Sequence, residues 1–318
     1  MLKSLIVRIV LRLLLATIVF AAMLVAAEYA LRFWFRHVTS SGNAGDYFAQ
    51  AHQPQVARNS LGYREREIPP KDPNRYRIVV VGDSFTYGQG IEAPERFSNL
   101  IEGFLGPRYE VLNFGIPGND MPQHLDVLDQ VLPLHPDFVL LQLFINDFET
   151  AQMERPRPHP LISDGAARGW GRSSVLYDLA TRPWVQIQEA TGLAESYVRY
   201  LDRNLRDPNG PNAQIAFGML RRFLEKAKAA GVGVGVVLFP MTDAMGPNGS
   251  NYPVGFIHDH VRQIAADERV PLLDLLPAFS TYKDPKTLWV SRFDAHPNAV
   301  ANTRAAQEIL HTFADRWR

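Results

Sequence analysis

Apolar positions are concentrated at one end of the chain. The first 36 residues carry 28 apolar side chains and six charged ones, Lys3, Arg8, Arg12, Glu28, Arg32 and Arg36. Residues 13–27 hold no charge for fifteen positions, short of the roughly 20 that cross a bilayer core. Arg8 and Arg12 lie one helical turn apart, so both can snorkel and the span runs from about residue 9 to residue 31. Tyr29, Phe33, Trp34 and Phe35 then form an aromatic belt at the far end. The basic residues ahead of the span put its start in the cytoplasm and the rest outside. Residues 1–36 are therefore expected to be a transmembrane anchor. The small residues Val25-Ala26-Ala27 also suit a signal-peptidase site, and in either case the bulk of the chain lies on the periplasmic or extracellular side.

Residues 37–74 are polar, broken by Gly and Pro, and read as a stalk, with 59–64 able to pack on the domain. That domain is expected over 75–318. Residues 77–81 form a β-branched run closed by Gly82, 94–105 have helical spacing, 110–113 are a second strand and 121–132 a second helix. Residues 138–144 are continuously apolar, as a strand buried on both faces requires. The rhythm lapses over 149–212, which reads as a partly helical insertion. It resumes with a helix at 213–230 stopped by Gly231, a strand at 232–239, a helix at 254–268, a short strand at 271–274 and a closing helix at 299–317. Alternating strands and helices of these lengths predict an α/β fold, an open parallel sheet with helices on both faces.

The overall composition narrows the chemistry. The 318 residues hold 33 Lys+Arg against 33 Asp+Glu, so no bulk charge favours nucleic acid. The absence of cysteine excludes a thiolate nucleophile, a disulfide scaffold and a Cys-based metal site.

Ligands of an open parallel sheet bind beyond the carboxyl ends of its strands. The residues just past the strands here include Asp83-Ser84, Gly115, Asn146-Asp147 and, before the last helix, Asp294-Ala295-His296. Together they supply the parts for nucleophilic acyl transfer, with Ser84 attacking, His296 taking its proton and Asp294 orienting the imidazole. The oxyanion would be held by the N–H groups of Ser84 and Gly115 and by the Asn146 side chain, with glycine at 115 letting an ester approach its amide.

These blocks, Gly82-Asp83-Ser84, Gly115, Asn146-Asp147 and Asp294/His296, resemble those of the SGNH, or GDSL-type, hydrolase and O-acyltransferase superfamily. The resemblance covers roughly residues 58–148 and 213–318. It implies a flavodoxin-like three-layer α/β/α sandwich of about five parallel strands. The branch it is most similar to consists of membrane-anchored extracytoplasmic proteins, some of which modify cell-surface polysaccharides with acetyl groups. Two positions depart from the family pattern. Phe293 stands where the triad Asp usually lies, three residues before the His, leaving Asp294 two residues before it. Phe144 stands where the third block usually has Gly.

Other residues read as structural. Asp83 holds the turn, Ser84 also suits a helix cap, and Asp147 is a partner within its loop. The Gly-containing loop after Ser84 lacks the pattern of a phosphate cradle. His258 and His260 are two apart on a helix without a third ligand, which reads as a solvated helix surface rather than a metal site. His124 and His135 read as surface or packing residues. The Arg155-Pro156-Arg157 stretch reads as a solvated loop that could touch an anionic glycan, and Trp170, Tyr177 and Trp184 as packing residues or platforms for sugar rings.

The sequence thus predicts a serine-dependent enzyme for O-acyl esters, needing no cofactor and no metal. His296 would activate water for hydrolysis or a sugar hydroxyl for transfer. The expected partners are a carbohydrate or acyl-ester substrate, the membrane through the N-terminal helix and, by family analogy, a membrane-bound acyltransferase that donates acetyl groups. No nucleic acid is expected. A non-catalytic glycan-binding or assembly subunit and a lipolytic esterase stay open as alternatives.

Overall fold

The five apolar runs become the five strands of one parallel sheet. The computed structural model describes residues 2–37, 57–154, 174–291 and 294–317. The chain opens with helix α1 (Leu2–His37), then β1 (Tyr76–Gly82), the single turn α2 (Ser84–Tyr87), α3 (Phe97–Leu105), β2 (Tyr109–Gly115), α4 (Met121–Val131) and β3 (Phe138–Leu143). Helices α5 (Val175–Thr191), α6 (Tyr197–Leu205) and α7 (Pro211–Ala229) lead to β4 (Gly233–Leu238), α8 (Gly255–Asp267), β5 (Leu272–Asp274) and the short α9 (Leu276–Phe279). A hairpin of β6 (Trp289–Ser291) and β7 (Asp294–Pro297) precedes the closing helix α10 (Ala299–Phe313).

The chain divides into two units, residues 1–52 with 156–195 and residues 53–155 with 196–318. In the first, α1 is apolar over Leu5–Phe33, 29 residues with a mean hydropathy of 2.6, long enough to cross a membrane. Its side chains from Leu5 to Leu24 face outward, and so do Tyr29 and Phe33. The side chains of Trp34 and Phe35 lie outside the described residues. Glu28 is the buried exception. Its carboxylate accepts from the Ser174 hydroxyl and the Val175 and Leu176 amides, capping the start of α5, and pairs with Arg32 one turn along.

In the second unit the strand order is β2-β1-β3-β4-β5, all parallel. Alternation along each strand makes two cores. Val79, Val81, Leu112, Phe114, Leu141 and Val236 pack under α4, α7 and α8. Ile78, Val80, Val111, Leu140 and Val237 pack under α3 and α10. The chain moves outward from β1 to β2, then returns to add β3 on the other side of β1. That reversal opens a crevice at the carboxyl ends of β1 and β3, where ligands of such sheets bind. Residues ahead of β1 also belong here. The Tyr63 ring is 3% exposed and meets Phe114 edge-on with centroids 4.6 Å apart. Arg64 donates to the carbonyls of Tyr87, Gly88 and Ile91, bracing the loop beyond the nucleophile turn.

Candidate active site

β1 is buried to its last residue, and the chain turns at Asp83 into α2. Asp83 is the N-cap, its Oδ1 accepting from the Phe85 amide at 2.9 Å. Ser84 is the first residue of the turn and 7% exposed. Two polar side chains from neighbouring strands fix this turn. Gln142 of β3 accepts through Oε1 from the amides of Asp83 (3.2 Å) and Thr86 (3.1 Å) and from the Thr86 hydroxyl (2.7 Å). Asn113 of β2 donates to the Thr86 carbonyl at 2.6 Å. No motif in the sequence marks either residue. The available signal is a fully polar side chain inside a run otherwise buried and apolar.

The hairpin β6–β7 brings the base. Asp294 and His296 are two apart on an extended strand and so point the same way. Asp294 Oδ1 accepts both the His296 backbone amide, at 3.0 Å, and the Nδ1–H of its ring. That carboxylate fixes the tautomer and leaves Nε2 as acceptor for the Ser84 hydroxyl, 2.9 Å away. Asp294 is 7% exposed, while His296 is half-buried, its ring edge-on to Phe85 at 5.4 Å. Serine, histidine and aspartate therefore form one hydrogen-bonded line, and the two-residue spacing works because β7 is a strand.

The GDSL-like Lipase/Acylhydrolase family profile matches residues 80–304, which hold every member of that line. The chain belongs to this family. As a GDSL family member it is an ester-cleaving serine enzyme. Solved structures similar to it include TesA (17% identical, TM-score 0.47, covering 75% of this chain and 98% of that one). The lipase/acylhydrolase from Enterococcus faecalis is similar too (14%, 0.47, 76% and 97%). So is an acetylxylan esterase variant from Geobacillus stearothermophilus (15%, 0.45, 76% and 95%). At that distance neither activity nor substrate carries over to this chain. No curated protein matches it.

The expected oxyanion donors of this GDSL enzyme fare differently. Asn146 lies in the turn Ile145–Phe148 at the end of β3, and its Oδ1 has no hydrogen-bond partner among the described residues. Gly115 does not match its expected role. Its amide donates to Asn113 Oδ1 at 3.0 Å, and a Cβ at this position would lie 2.1 Å from the Tyr87 nitrogen. Glycine is required there because the nucleophile turn presses on its backbone, not because an ester must approach. In the loop beyond, Gly118 has φ 81°, an exposed backbone and an amide with no partner among the described residues. Phe144, where the family usually has Gly, stacks on Phe85 with centroids 4.3 Å apart. Phe239 meets Phe85 edge-on at 5.5 Å. Phe85, which meets the His296 ring, is thus itself packed between other aromatic rings.

One histidine reading is overturned. His258 is fully buried, not solvated, with Nδ1 2.9 Å from Asp274 Oδ1 and Nε2 2.9 Å from the Tyr252 hydroxyl. Tyr252 in turn accepts the Met241 amide at 2.9 Å. Burial alone would raise the Asp274 carboxyl, but His258, the Leu276 amide and Arg262 outweigh it and hold it below the usual range. His260 is half-buried, bonding the Arg206 carbonyl at 3.1 Å. His124 is a packing residue, fully buried on α4 with its Nε2 3.2 Å from Asp147 Oδ1. His135 is exposed. No group of three metal-binding side chains occurs among the described residues. Tyr177 and Trp184 are half-buried on α5, whereas Arg155, Pro156, Arg157, Trp170 and Phe293 lie outside the described residues.

Proposed function

We propose that this enzyme removes or transfers acetyl groups on a carbohydrate outside the cytoplasm, tethered to the membrane by α1. The observation that carries the chemistry is the Ser84 hydroxyl lying 2.9 Å from His296 Nε2, with Asp294 behind the ring. Ser84 Oγ attacks the ester carbonyl as His296 takes the hydroxyl proton, and Asp294 stabilises the imidazolium. The tetrahedral oxyanion accepts from the Ser84 amide and from the Nδ2–H of Asn146. His296 then gives its proton to the departing sugar oxygen, leaving an acetyl-Ser84 ester. Water, deprotonated by His296, completes hydrolysis. A second sugar hydroxyl in its place completes transfer, and in that case a membrane-bound acyltransferase would supply the acetyl donor.

A short acyl group is supported by Phe144. Its ring occupies the ground beside Phe85 that a glycine would leave open. A two-carbon chain needs little room, whereas a long one requires an apolar channel beside Ser84. The test has two parts. Purified protein should turn over p-nitrophenyl acetate at least tenfold faster than the octanoate ester, and equal or better use of octanoate would contradict the acetyl reading. In cells, envelope polysaccharide acetylation should differ between wild type and Ser84→Ala. Fewer acetyl groups in the mutant indicate transfer, more indicate hydrolysis, and an unchanged level contradicts the carbohydrate reading.

A further inference from the structure

Behind the nucleophile lies a second set of ionisable groups that the Ser84–His296–Asp294 line leaves unused. Asp83, His124 and Asp147 are each 0% exposed. They come from three elements: the end of β1, the helix α4 and the turn after β3. Asp147 Oδ2 accepts the Phe144 amide at 2.7 Å, and its Oδ1 lies 3.2 Å from His124 Nε2. Asp83 spends Oδ1 on the Phe85 amide, while its Oδ2 is buried with no hydrogen-bond partner. Asp120, the N-cap of α4, also has a buried Oδ1 without a partner.

Buried carboxyl groups this close to a buried imidazole cannot all ionise unless something balances them. The balance is visible in the groups themselves. Burial and the charge of Asp147 push the Asp83 carboxyl up to about 7, against the pull of the Phe85 amide, His124 and His296. Burial alone would depress His124, but Asp147, Asp83 and Asp120 outweigh it and raise the imidazole above its ordinary value. The sequence neighbours matter as much as the charges. Asp83 adjoins Ser84, and Asp147 adjoins Asn146.

We propose that His124 is a positioning residue: fully buried on α4 and 3.2 Å from the Asp147 carboxylate, it ties the Asn146 turn, and through it the oxyanion side of the site, to α4. The proposal rests on the reading that Ser84 attacks and Asn146 receives the oxyanion. It makes α4 a third support of the site, beside Gln142 and Asn113, and the only charged one among these. A side chain that cannot carry a positive charge at this place would leave the Asp147 carboxylate buried with only the Phe144 amide to stabilise it, and the Asn146 turn would lose its hold on α4.

The test reads protonation and chemistry separately, on the full chain in detergent. Histidine Cε1–H resonances are followed by NMR, and the one missing from His124→Gln is assigned to His124. It should keep its doubly protonated position to higher pH than the exposed histidines, which titrate near their ordinary value of about 6.5. In Asp147→Asn, which keeps an acceptor for the Phe144 amide, the His124 resonance should titrate at lower pH than in wild type. A neutral His124 at pH 6 in the wild type overturns the proposal. On p-nitrophenyl acetate, His124→Gln should lose about ten- to a hundredfold in kcat with KM little changed, as misplacement of reacting groups does. A wild-type kcat in a folded His124→Gln protein also overturns it. Failure of the Ser84 reading would show differently, as activity surviving in Ser84→Ala while the NMR result stands.

Discussion

At the scale of single residues, two glycines a few positions apart answer to different constraints. A Cβ on Gly115 would meet the Tyr87 backbone at 2.1 Å, and backbone cannot rotate away as a side chain can. Gly115→Ala should therefore cost at least about 1–3 kcal/mol and displace the nucleophile turn, lowering kcat. A Cβ on Gly118 would meet nothing within 4 Å, so Gly118→Ala should cost only about 1 kcal/mol for its positive φ. Urea unfolding of both variants, with activity measured alongside, checks the contrast, and equal losses would contradict it. Asp83 offers a pH test. Its carboxyl is raised from 3.8 to about 7, so the folded protein holds that proton more tightly than the unfolded chain. The stability it contributes is complete below pH 4 and is lost as pH rises through about 7. Asp83→Asn keeps an oxygen for the Phe85 amide and removes the titration. Its Tm should fall less steeply than that of the wild type between pH 5 and pH 8, and an identical slope would contradict the assignment.

At the scale of elements, His258 links α8 to β5 through Asp274 and, by way of Tyr252, to the Met241 amide just past β4. His258→Ala leaves a buried carboxylate without its main partner and should destabilise the protein by about 3 kcal/mol. Asp274 is held below its ordinary value, so its contribution is present above about pH 4 and is lost as pH falls through its lower folded value. The variant should therefore lose less stability on acidification than the wild type, as measured by urea titration at pH 3 and pH 7. The five strands and the long helices were legible in the sequence because each repeats one period over enough residues to bury a face. The β6–β7 hairpin was not. Its strands are three and four residues long, hold Ser291 and Asp294 beside Val290, and present no apolar run. The carboxylate partners of the buried histidines were missed for another reason. Asp147 and Asp274 lie far from them in sequence, and helical spacing shows which face a residue occupies but not which carboxylate a strand end will bring to it. Ser84, His296 and Asp294 were legible because the sheet rule selects strand ends, while the Gly115 amide was misread because no rule of spacing shows that Asn113 has claimed it.

At the scale of the whole molecule, the strand order places the reversal between β1 and β3, so the residues after those two strands meet at one crevice whatever their spacing in sequence. Under the proposed function, the 29-residue apolar stretch of α1 tethers that chemistry to a membrane. The full-length protein should remain in the membrane fraction after an alkaline carbonate wash, with residues 1–27 still attached by intact mass. A soluble protein beginning at Glu28 would instead show a cleaved signal. The central claim, that Ser84 is an activated nucleophile, is tested most directly by covalent labelling with a fluorophosphonate, which bonds to serines whose hydroxyl is deprotonated by a neighbouring base. Mass spectrometry should find one adduct, on the peptide that carries Ser84, absent in Ser84→Ala and formed far more slowly in His296→Ala. Labelling that persists in Ser84→Ala, or that maps to another residue, would contradict the account.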